Sequence, residues 1–239
     1  MTTFVLVHGA WHGGWCYKRV ARLLRQAGHE VYTPTLTGLG ERAHLMNRAI
    51  DLDTHVQDVA GVIRCEGLSE VVLCGHSYGG MVITEAGDNP KVRSLVYLAA
   101  FAPDAGESVS SLAEAPAPAG EYKAPLVTEG KYLLVDSDKF PSSFAADVDV
   151  ATTRFMAAAQ LPWGLQAVQT KVDRVAWKSK PTYYMVTSED HMIPPTAQRT
   201  MAQRSGGKVV EMKSSHAVML SHPREVAAFI KSADTSSTD

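Results

Sequence analysis

The stretch VVLCGHSYGGMV, from Val71 to Val82, places a single serine among glycines where one pattern of residues gives way to another. The residues before it form a short apolar run, typical of a strand buried on both faces, and the residues after it suit a helix. Gly75 and Gly79 lie two residues before and after Ser77. Because a Cβ at either position would crowd a sharp turn, the stretch predicts a strand, a tight turn with Ser77 at its tip, and a helix.

The same alternation of apolar runs and helical patterns extends through most of the chain. It predicts six strands, at 4–9, 29–36, 70–75, 92–100, 181–188 and 208–213, and helices at 15–28, 51–67, after Ser77 and at 223–233. Such alternation indicates right-handed crossovers, so we expect an α/β fold with about six mostly parallel strands and helices on both faces of the sheet. The reactive loops of such a sheet gather at the carboxyl ends of its strands.

Residues 104–180 interrupt this alternation and are too long for a simple crossover. They contain a low-complexity segment at 111–120 and a helical pattern at 149–168. We therefore expect one folding domain, in which residues 1–103 and 181–239 form the core and residues 104–180 form a helical lid between the fourth and fifth strands.

Composition argues against several classes of function. The 239 residues carry a net charge of −2 and no cluster of Lys and Arg longer than a pair, so no nucleic-acid partner is expected. No apolar run is long enough to span a membrane, and the N-terminal run is too short for a signal peptide, so no membrane partner is expected. Cys16, Cys65 and Cys74 lack Cys-x-x-Cys spacing, which indicates reduced thiols in a cytoplasmic protein.

Ser77 has the setting of a catalytic nucleophile, because the following helix would direct its N-terminal N–H groups at a developing negative charge. The alternative is a serine in a glycine turn without chemistry. A serine hydroxyl also needs a base to take its proton. Among the nine histidines, His216 follows the last strand and emerges at the same edge of the sheet. The alternative for His216 is a solvated loop histidine.

Asp190 follows the fifth strand and completes the chain order Ser, Asp, His. Its carboxylate would fix the tautomer of the histidine and stabilise the imidazolium. Glu189 and Asp104 are competing acids, and capping of the next helix is the alternative for Asp190. The candidate catalytic residues are therefore Ser77, Asp190 and His216.

An oxyanion hole would complete this site. The backbone N–H of Tyr78 supplies one donor, and Ala10 in the glycine-rich loop HGAWHGG is the best candidate for the second. A metal site built from the histidines of this region is disfavoured, because they lie on glycine loops and not on one helical face. No metal and no cofactor is expected.

Five motifs together resemble the α/β-hydrolase superfamily, and within it the plant methylesterase and hydroxynitrile lyase group with its bacterial carboxylesterase relatives, some of which hydrolyse pyrethroids. The motifs are FVLVHGAWHGGW, GHSYGGMV, LVYLAAFAPD, SEDHMIP and SHAVML. The resemblance implies the same roles as above for Ser77, Asp190, His216, Ala10 and Tyr78. It also implies substrate-binding positions at His12 and Phe101, and the aromatic character of Trp163 adds this residue to them.

Two positions bear on the reaction type. Hydroxynitrile lyases of this group carry a threonine directly after the first-loop histidine and a lysine directly after the catalytic histidine. Here these positions are Gly9 and Ala217, so the resemblance favours ester hydrolysis. We expect a serine carboxylesterase that acts through an acyl-enzyme on small to medium hydrophobic carboxylic esters, with a homodimer as a possible assembly. The alternatives are a C–C lyase of the hydroxynitrile lyase type and a slow-turnover small-molecule receptor on the same fold.

Overall fold

A computed structural model describes residues 1–114 and 122–234, so most of the low-complexity segment and residues 235–239 lie outside the described residues. Within them the strands are β1 (Thr3–Val7), β2 (Glu30–Tyr32), β3 (Val71–His76), β4 (Val92–Leu98), β5 (Leu126–Glu129), β6 (Tyr132–Val135), β7 (Trp163–Gly164), β8 (Thr182–Thr187) and β9 (Lys208–Met212).

The helices surround these strands. They are α1 (Lys18–Gln26), α2 (Leu52–Cys65), α3 (Gly79–Ala86), α4 (Val109–Ala113), α5 (Phe140–Phe144), α6 (Val150–Ala158), α7 (Leu165–Gln169), α8 (Pro195–Arg204), α9 (Val218–Ser221) and α10 (Pro223–Lys231), with 3-10 turns at Gly14–Tyr17, Gly40–Leu45 and Ala176–Lys178. None of the helices in the described part of the chain is long and apolar enough to cross a membrane.

The main sheet contains six strands in the order β2-β1-β3-β4-β8-β9, and every pairing in it is parallel. All residues of β3 are buried, as the continuous apolar run predicts for a strand covered by helices on both faces. The six predicted strands and the α/β class are confirmed. The second strand is shorter than predicted, because Pro34 has no N–H to extend its ladder beyond Tyr32.

The segment 104–180 differs from the expected helical lid. It contains helices α4 to α7, but it also contains a three-stranded antiparallel sheet in the order β5-β6-β7. The helix predicted at 149–168 is divided, because Pro162 disfavours helical geometry in the residue before it and supplies no N–H of its own. Leu161 instead donates its backbone N–H to the carbonyl oxygen of Trp11, at 2.8 Å.

Candidate active site

Ser77 lies at the turn between β3 and α3 in a strained backbone conformation. Its φ is +54°, a left-handed value that non-glycine residues rarely adopt. The carbonyl oxygen of Ser77 accepts hydrogen bonds from the backbone N–H of Gly80, at 3.0 Å, and of Phe101, at 3.1 Å. Its own N–H donates to the carbonyl of Leu98 at 3.3 Å, so the surrounding backbone maintains the strain.

The flanking glycines are required by close backbone contacts. A Cβ on Gly75 would lie 2.5 Å from the carbonyl oxygen of Gly79, and a Cβ on Gly79 would lie 2.6 Å from the carbonyl oxygens of Val7 and His8. Both distances are far shorter than van der Waals contact. The glycine pair therefore permits the turn, as the sequence pattern predicts.

The loop after β1 packs directly against the serine. A Cβ on Gly9 would lie only 2.8 Å from the Cβ of Ser77. The next residue, Ala10, and the residue after the serine, Tyr78, are both buried. Neither backbone N–H donates a hydrogen bond to another residue in the described part of the chain. These two amides are thus available to an acceptor at the predicted oxyanion position.

Asp190 and His216 form a buried pair, with exposures of 1% and 0%. The Nδ1–H of His216 donates to Asp190 Oδ2 at 2.7 Å. Four further donors surround the carboxylate: Thr187 Oγ1 and Gln198 Nε2 on Oδ2, at 3.0 and 2.8 Å, and the N–H groups of Met192 and Ile193 on Oδ1, at 2.7 and 3.0 Å. These donors compensate for the loss of water around a buried carboxylate and fix its orientation.

The competing acids lie elsewhere. Asp104 is partly exposed and forms an ion pair with Lys178, whose hydrogen bond lowers the pKa of the Asp104 carboxyl. Glu189 lies 3.6 Å from Lys213 on the surface. The N-terminal residue of helix α8 is preceded by Pro194, so Asp190 is not its N-cap residue. Of the three acids, only Asp190 contacts His216.

The second ring nitrogen of His216 makes no hydrogen bond to Asp190. Its Nε2 is buried and has no hydrogen-bond partner within residues 1–114 and 122–234. The ring lies 4.6 Å from that of His76, the residue before Ser77. Burial lowers the pKa of His76 well below 6.5, so His76 is neutral and donates its Nε2–H to the carbonyl of His216, at 2.8 Å. The loop of His216 is thereby attached to the end of β3.

Residues of the 104–180 segment are also bonded to the loop of His216. The ring of Phe144 packs edge-on against the His216 ring at 4.7 Å, and the Phe144 carbonyl accepts the N–H of Ala217 at 3.0 Å. The carboxylate of Asp147 accepts hydrogen bonds from the Ser214 hydroxyl at 2.8 Å, from the Ser215 N–H at 3.2 Å and from the Ser215 hydroxyl. His222 Nε2 lies 3.4 Å from the same carboxylate.

The first-loop histidines make hydrogen bonds within the protein. His8 donates Nδ1–H to the carbonyl of Gly9 at 2.6 Å and accepts the N–H of Leu36 on Nε2 at 3.0 Å. Burial lowers the pKa of His8 to about 3, which keeps it neutral, as this pair of bonds requires. His12 Nε2 lies 3.1 Å from the carbonyl of Met156. Within the described residues no group of three His, Cys, Asp or Glu side chains could hold a metal ion.

The three predicted substrate-binding residues contact Ser77, Tyr78 or Phe144. Phe101 is bonded to Ser77 through its backbone, and the ring of His12 packs against Phe140 and Phe144, at 5.8 and 5.4 Å. The ring of Trp163 lies 4.8 Å from that of Tyr78. Phe101 thus contacts Ser77 itself, and Trp163 contacts the residue that follows it. His12 contacts Phe144, which packs on His216. The role of these three residues in binding stays a prediction.

Two residues of this aromatic region were missed by the sequence analysis. Trp11 packs on Trp163, with ring centroids 5.5 Å apart. His55 lies in α2, and its Nδ1 accepts the Tyr78 hydroxyl at 2.8 Å. Trp11 lies three residues after His8 in the glycine-rich loop, and this position could have predicted that Trp11 is near the site. No local signal marks the second, because the contact joins α2 to a turn 23 residues later.

A surface groove, of about 400 Å³, is separate from this site. It lies between α2, α3 and residues 170–174, and charged side chains such as Glu85 and Arg174 form much of its wall. No residue of the Ser77 region lines it.

Comparison with known proteins places the chain in one family. Residues 4–229 match the alpha/beta hydrolase family. The chain belongs to the α/β-hydrolase family. The superfamily expected from the five motifs is therefore confirmed, and the match extends over nearly all of the sequence of this α/β-hydrolase.

Two individual relatives are similar to this chain. A carbendazim-hydrolysing esterase of Nocardioides sp. (strain SG-4G) is 60% identical over 114 residues, which are 47% of this chain and 47% of that relative. A chloroplastic methylesterase of Arabidopsis thaliana is 28% identical over 240 residues, which are 92% of this chain and 61% of that relative. The matches thus cover about half and three fifths of these relatives' lengths.

A solved structure is also similar to this chain. A pyrethroid hydrolase from Sphingobium faniae JZ-2 superposes with a TM-score of 0.83, at 26% identity over 98% of each chain. The expected group of methylesterases and pyrethroid-hydrolysing relatives is therefore confirmed. These three proteins are named as an esterase, a methylesterase and a hydrolase.

Proposed function

We propose that the protein is a serine carboxylesterase with Ser77 as nucleophile, His216 as base and Asp190 as orienting acid. The observation that carries this proposal is the buried pair of Asp190 and His216. Donation of Nδ1–H to the carboxylate leaves the lone pair of the neutral imidazole on Nε2, the atom that a general base needs. That atom has no competing partner in the described chain.

The reaction follows in two halves. His216 Nε2 takes the hydroxyl proton as Ser77 Oγ attacks the ester carbonyl, and the Ala10 and Tyr78 amides stabilise the oxyanion. The tetrahedral intermediate collapses, the C–O bond to the alcohol breaks, and His216 returns its proton to the leaving alkoxide. Water then repeats the attack on the acyl-enzyme, which releases the carboxylic acid and restores the serine.

A small to medium hydrophobic ester is the proposed substrate class, bound near His12, Phe101 and Trp163. The aromatic rings around the turn support this class, and relatives are named for carbendazim and pyrethroid hydrolysis. Residues 104–180 are proposed to act as the lid of this site, which their bonds to residues 214–217 support. No specific contact favours the lyase alternative, because Gly9 and Ala217 supply neither a hydroxyl nor an ammonium group.

We further propose a cytoplasmic location. The three cysteines are free thiols, which supports a reducing compartment. The homodimer stays a prediction, and analytical ultracentrifugation of the purified protein measures it directly.

The test compares Ser77→Ala with Ser94→Ala in the hydrolysis of a series of p-nitrophenyl and aryl esters. Ser94 is a matched buried control, because its hydroxyl donates to the carbonyl of Ala233, at 3.0 Å, away from the turn. We expect Ser77→Ala to lower kcat by about 10⁴-fold or more, since such residues act as a unit. A fluorophosphonate should label Ser77. Loss of activity together with labelling of a different serine would contradict the assignment.

A further inference from the structure

We propose that the indole N–H of Trp163 is a substrate-recognition donor, so the site selects aromatic esters that carry a hydrogen-bond acceptor on the ring. This inference rests on the proposed esterase function and names its substrate class more closely. It comes from a contrast between two indoles that touch each other.

Trp11 and Trp163 are both buried, with exposures of 4% and 3%, and their rings pack edge to face at 5.5 Å. The Nε1–H of Trp11 donates to the carbonyl of Leu133 at 2.9 Å. Leu133 is the residue that pairs with Trp163 between β6 and β7. Although the two indoles share these surroundings, Trp163 Nε1 has no hydrogen-bond partner within the described residues.

The ring of Trp163 is held in place by its neighbours. One of them is Tyr78, whose ring lies 4.8 Å away. The Tyr78 hydroxyl is itself fixed: His55 donates Nε2–H to the carbonyl of Thr37 at 3.0 Å, so its Nδ1 accepts the hydroxyl proton of Tyr78 at 2.8 Å. Packing against the fixed rings of Tyr78 and Trp11 prevents the indole from turning freely towards an acceptor.

The position of this donor connects it to the reaction. Tyr78 directly follows Ser77, and its amide is one of the two proposed oxyanion donors. Three buried side-chain nitrogens in the described residues have no hydrogen-bond partner: His29 Nδ1, Trp163 Nε1 and His216 Nε2. His29 precedes β2, at the amino end of the sheet, whereas His216 contacts Asp190 and Trp163 packs on the ring of Tyr78, the residue after Ser77. For His216 Nε2 the missing partner is explained by its role as base. A bound substrate that accepts the Trp163 Nε1–H would explain the missing partner of that nitrogen in the same way.

A buried donor without a partner is costly, and native proteins rarely keep one without a functional reason. A substrate with an acceptor at this position removes the cost, whereas an isosteric substrate that has a C–H there leaves the donor unpaired. A site built to form a hydrogen bond therefore discriminates against the analogue that lacks it. For one neutral N–H donor we expect about 10- to 100-fold discrimination in kcat/KM.

The probes are methyl 2-naphthoate and the isomeric methyl quinolinecarboxylates, which exchange one ring C–H for an acceptor nitrogen at nearly constant shape. The measured quantity is kcat/KM for each quinoline ester divided by that for the naphthoate. Comparing this ratio between the native protein and Trp163→Phe cancels the intrinsic reactivity of the esters. We expect the native ratio to exceed the Trp163→Phe ratio about 10- to 100-fold for at least one isomer. Equal ratios for every isomer would overturn the proposal.

Trp11→Phe is the matched control, because it removes an indole N–H that already has an acceptor. We expect it to lower Tm more than Trp163→Phe does, while the preference for the quinoline ester persists. A preference lost equally in both variants would reflect packing alone and would overturn the proposal.

A binding experiment separates this proposal from the esterase assignment. Calorimetry with Ser77→Ala measures the affinity of quinolinecarboxamides and 2-naphthamide, none of which needs to react. Tighter binding of one quinoline amide, lost when Trp163→Phe is added, supports the donor even if the native protein hydrolyses no ester. Equal affinities throughout would refute the donor even if the esterase assignment stands.

Discussion

Replacing Asp190 by asparagine tests whether its carboxylate orients His216. The side chain keeps its shape, but one oxygen becomes an NH2 group that donates and cannot accept. In the native protein Oδ2 accepts from three side chains, those of His216, Thr187 and Gln198, while Oδ1 accepts from two backbone amides. An asparagine oxygen can serve only one of these two sets.

The backbone amides decide which set is kept. The N–H groups of Met192 and Ile193 cannot rotate, whereas His216 can move its proton from one ring nitrogen to the other. We therefore expect the asparagine oxygen to remain on the backbone amides and its NH2 to donate to His216 Nδ1. The imidazole proton then moves to Nε2, the atom proposed to accept a proton from Ser77. A histidine held in the wrong tautomer lowers kcat by about 10⁴-fold.

The same substitution also affects stability. Thr187 Oγ1 and Gln198 Nε2 lose their acceptor at residue 190, but Gln198 Nε2 keeps its bond to the carbonyl of Ile193, at 2.8 Å. The expected loss in the free energy of unfolding is therefore limited, about 1–3 kcal/mol. Urea unfolding measures it separately from the loss of kcat.

Asp104→Asn is the control for this experiment, because Asp104 pairs with Lys178 at the surface and exposed ion pairs contribute little. Steady-state hydrolysis of p-nitrophenyl acetate by both variants gives the comparison. If Asp104→Asn loses more kcat than Asp190→Asn, the assignment of the acid is wrong.

Three further predictions concern the surroundings of the site. Gly9→Ala should lower kcat at least about 100-fold, because the added Cβ would lie 2.8 Å from the Cβ of Ser77 and displace it; an unchanged kcat refutes this. Gly61→Ala is the control, because open space surrounds its Cβ within α2: it should keep kcat and raise the free energy of unfolding in urea by about 0.5–1 kcal/mol. At pH 8, Cys65 alone should react rapidly with a disulfide reagent, because it is exposed, whereas burial raises the pKa of the Cys16 and Cys74 thiols to about 12. A second rapidly reacting thiol would contradict this prediction. Burial alone would raise the pKa of Asp147, but hydrogen bonds from Ser214 and Ser215 outweigh burial and hold that pKa below 3.8, so the stability that the carboxylate contributes is present at pH 7 and is lost as the pH falls through the lowered pKa. Asp147→Asn should therefore be less stable than the native protein at pH 7, and the difference in the free energy of unfolding should shrink as the pH falls below 3.8. A difference that stays constant into acid refutes this origin.

The main sheet could be predicted because its strands are buried on both faces. A strand such as Val71–His76 reads as a continuous apolar run, and the turn at Ser77 needs glycines at defined spacing. The order of the candidate residues along the chain follows from the same sheet, since His216 and Asp190 both follow strands. Their contact depends on topology that the alternation pattern already indicates.

The small sheet of the 104–180 segment could not be predicted in this way. All four residues of Leu126–Glu129 are exposed, so the strand has no alternating pattern to mark it. Trp163 and Gly164 form a strand of two residues, which is too short for any periodicity. The bond between His55 and Tyr78 likewise depends on how α2 packs, and residue spacing does not encode it.

The bonds of Phe144 and Asp147 to residues 214–217 have a consequence for how this protein can be recombined with its relatives. An insertion within a fold is often treated as an exchangeable module, because its ends leave and re-enter the core at two points. Here its backbone and a carboxylate also hold the loop of His216, 67 to 73 residues further along the chain. A chimera that receives a foreign insertion therefore needs the donor's version of residues 214–217 as well, because the inherited loop otherwise loses the contacts that hold it in place.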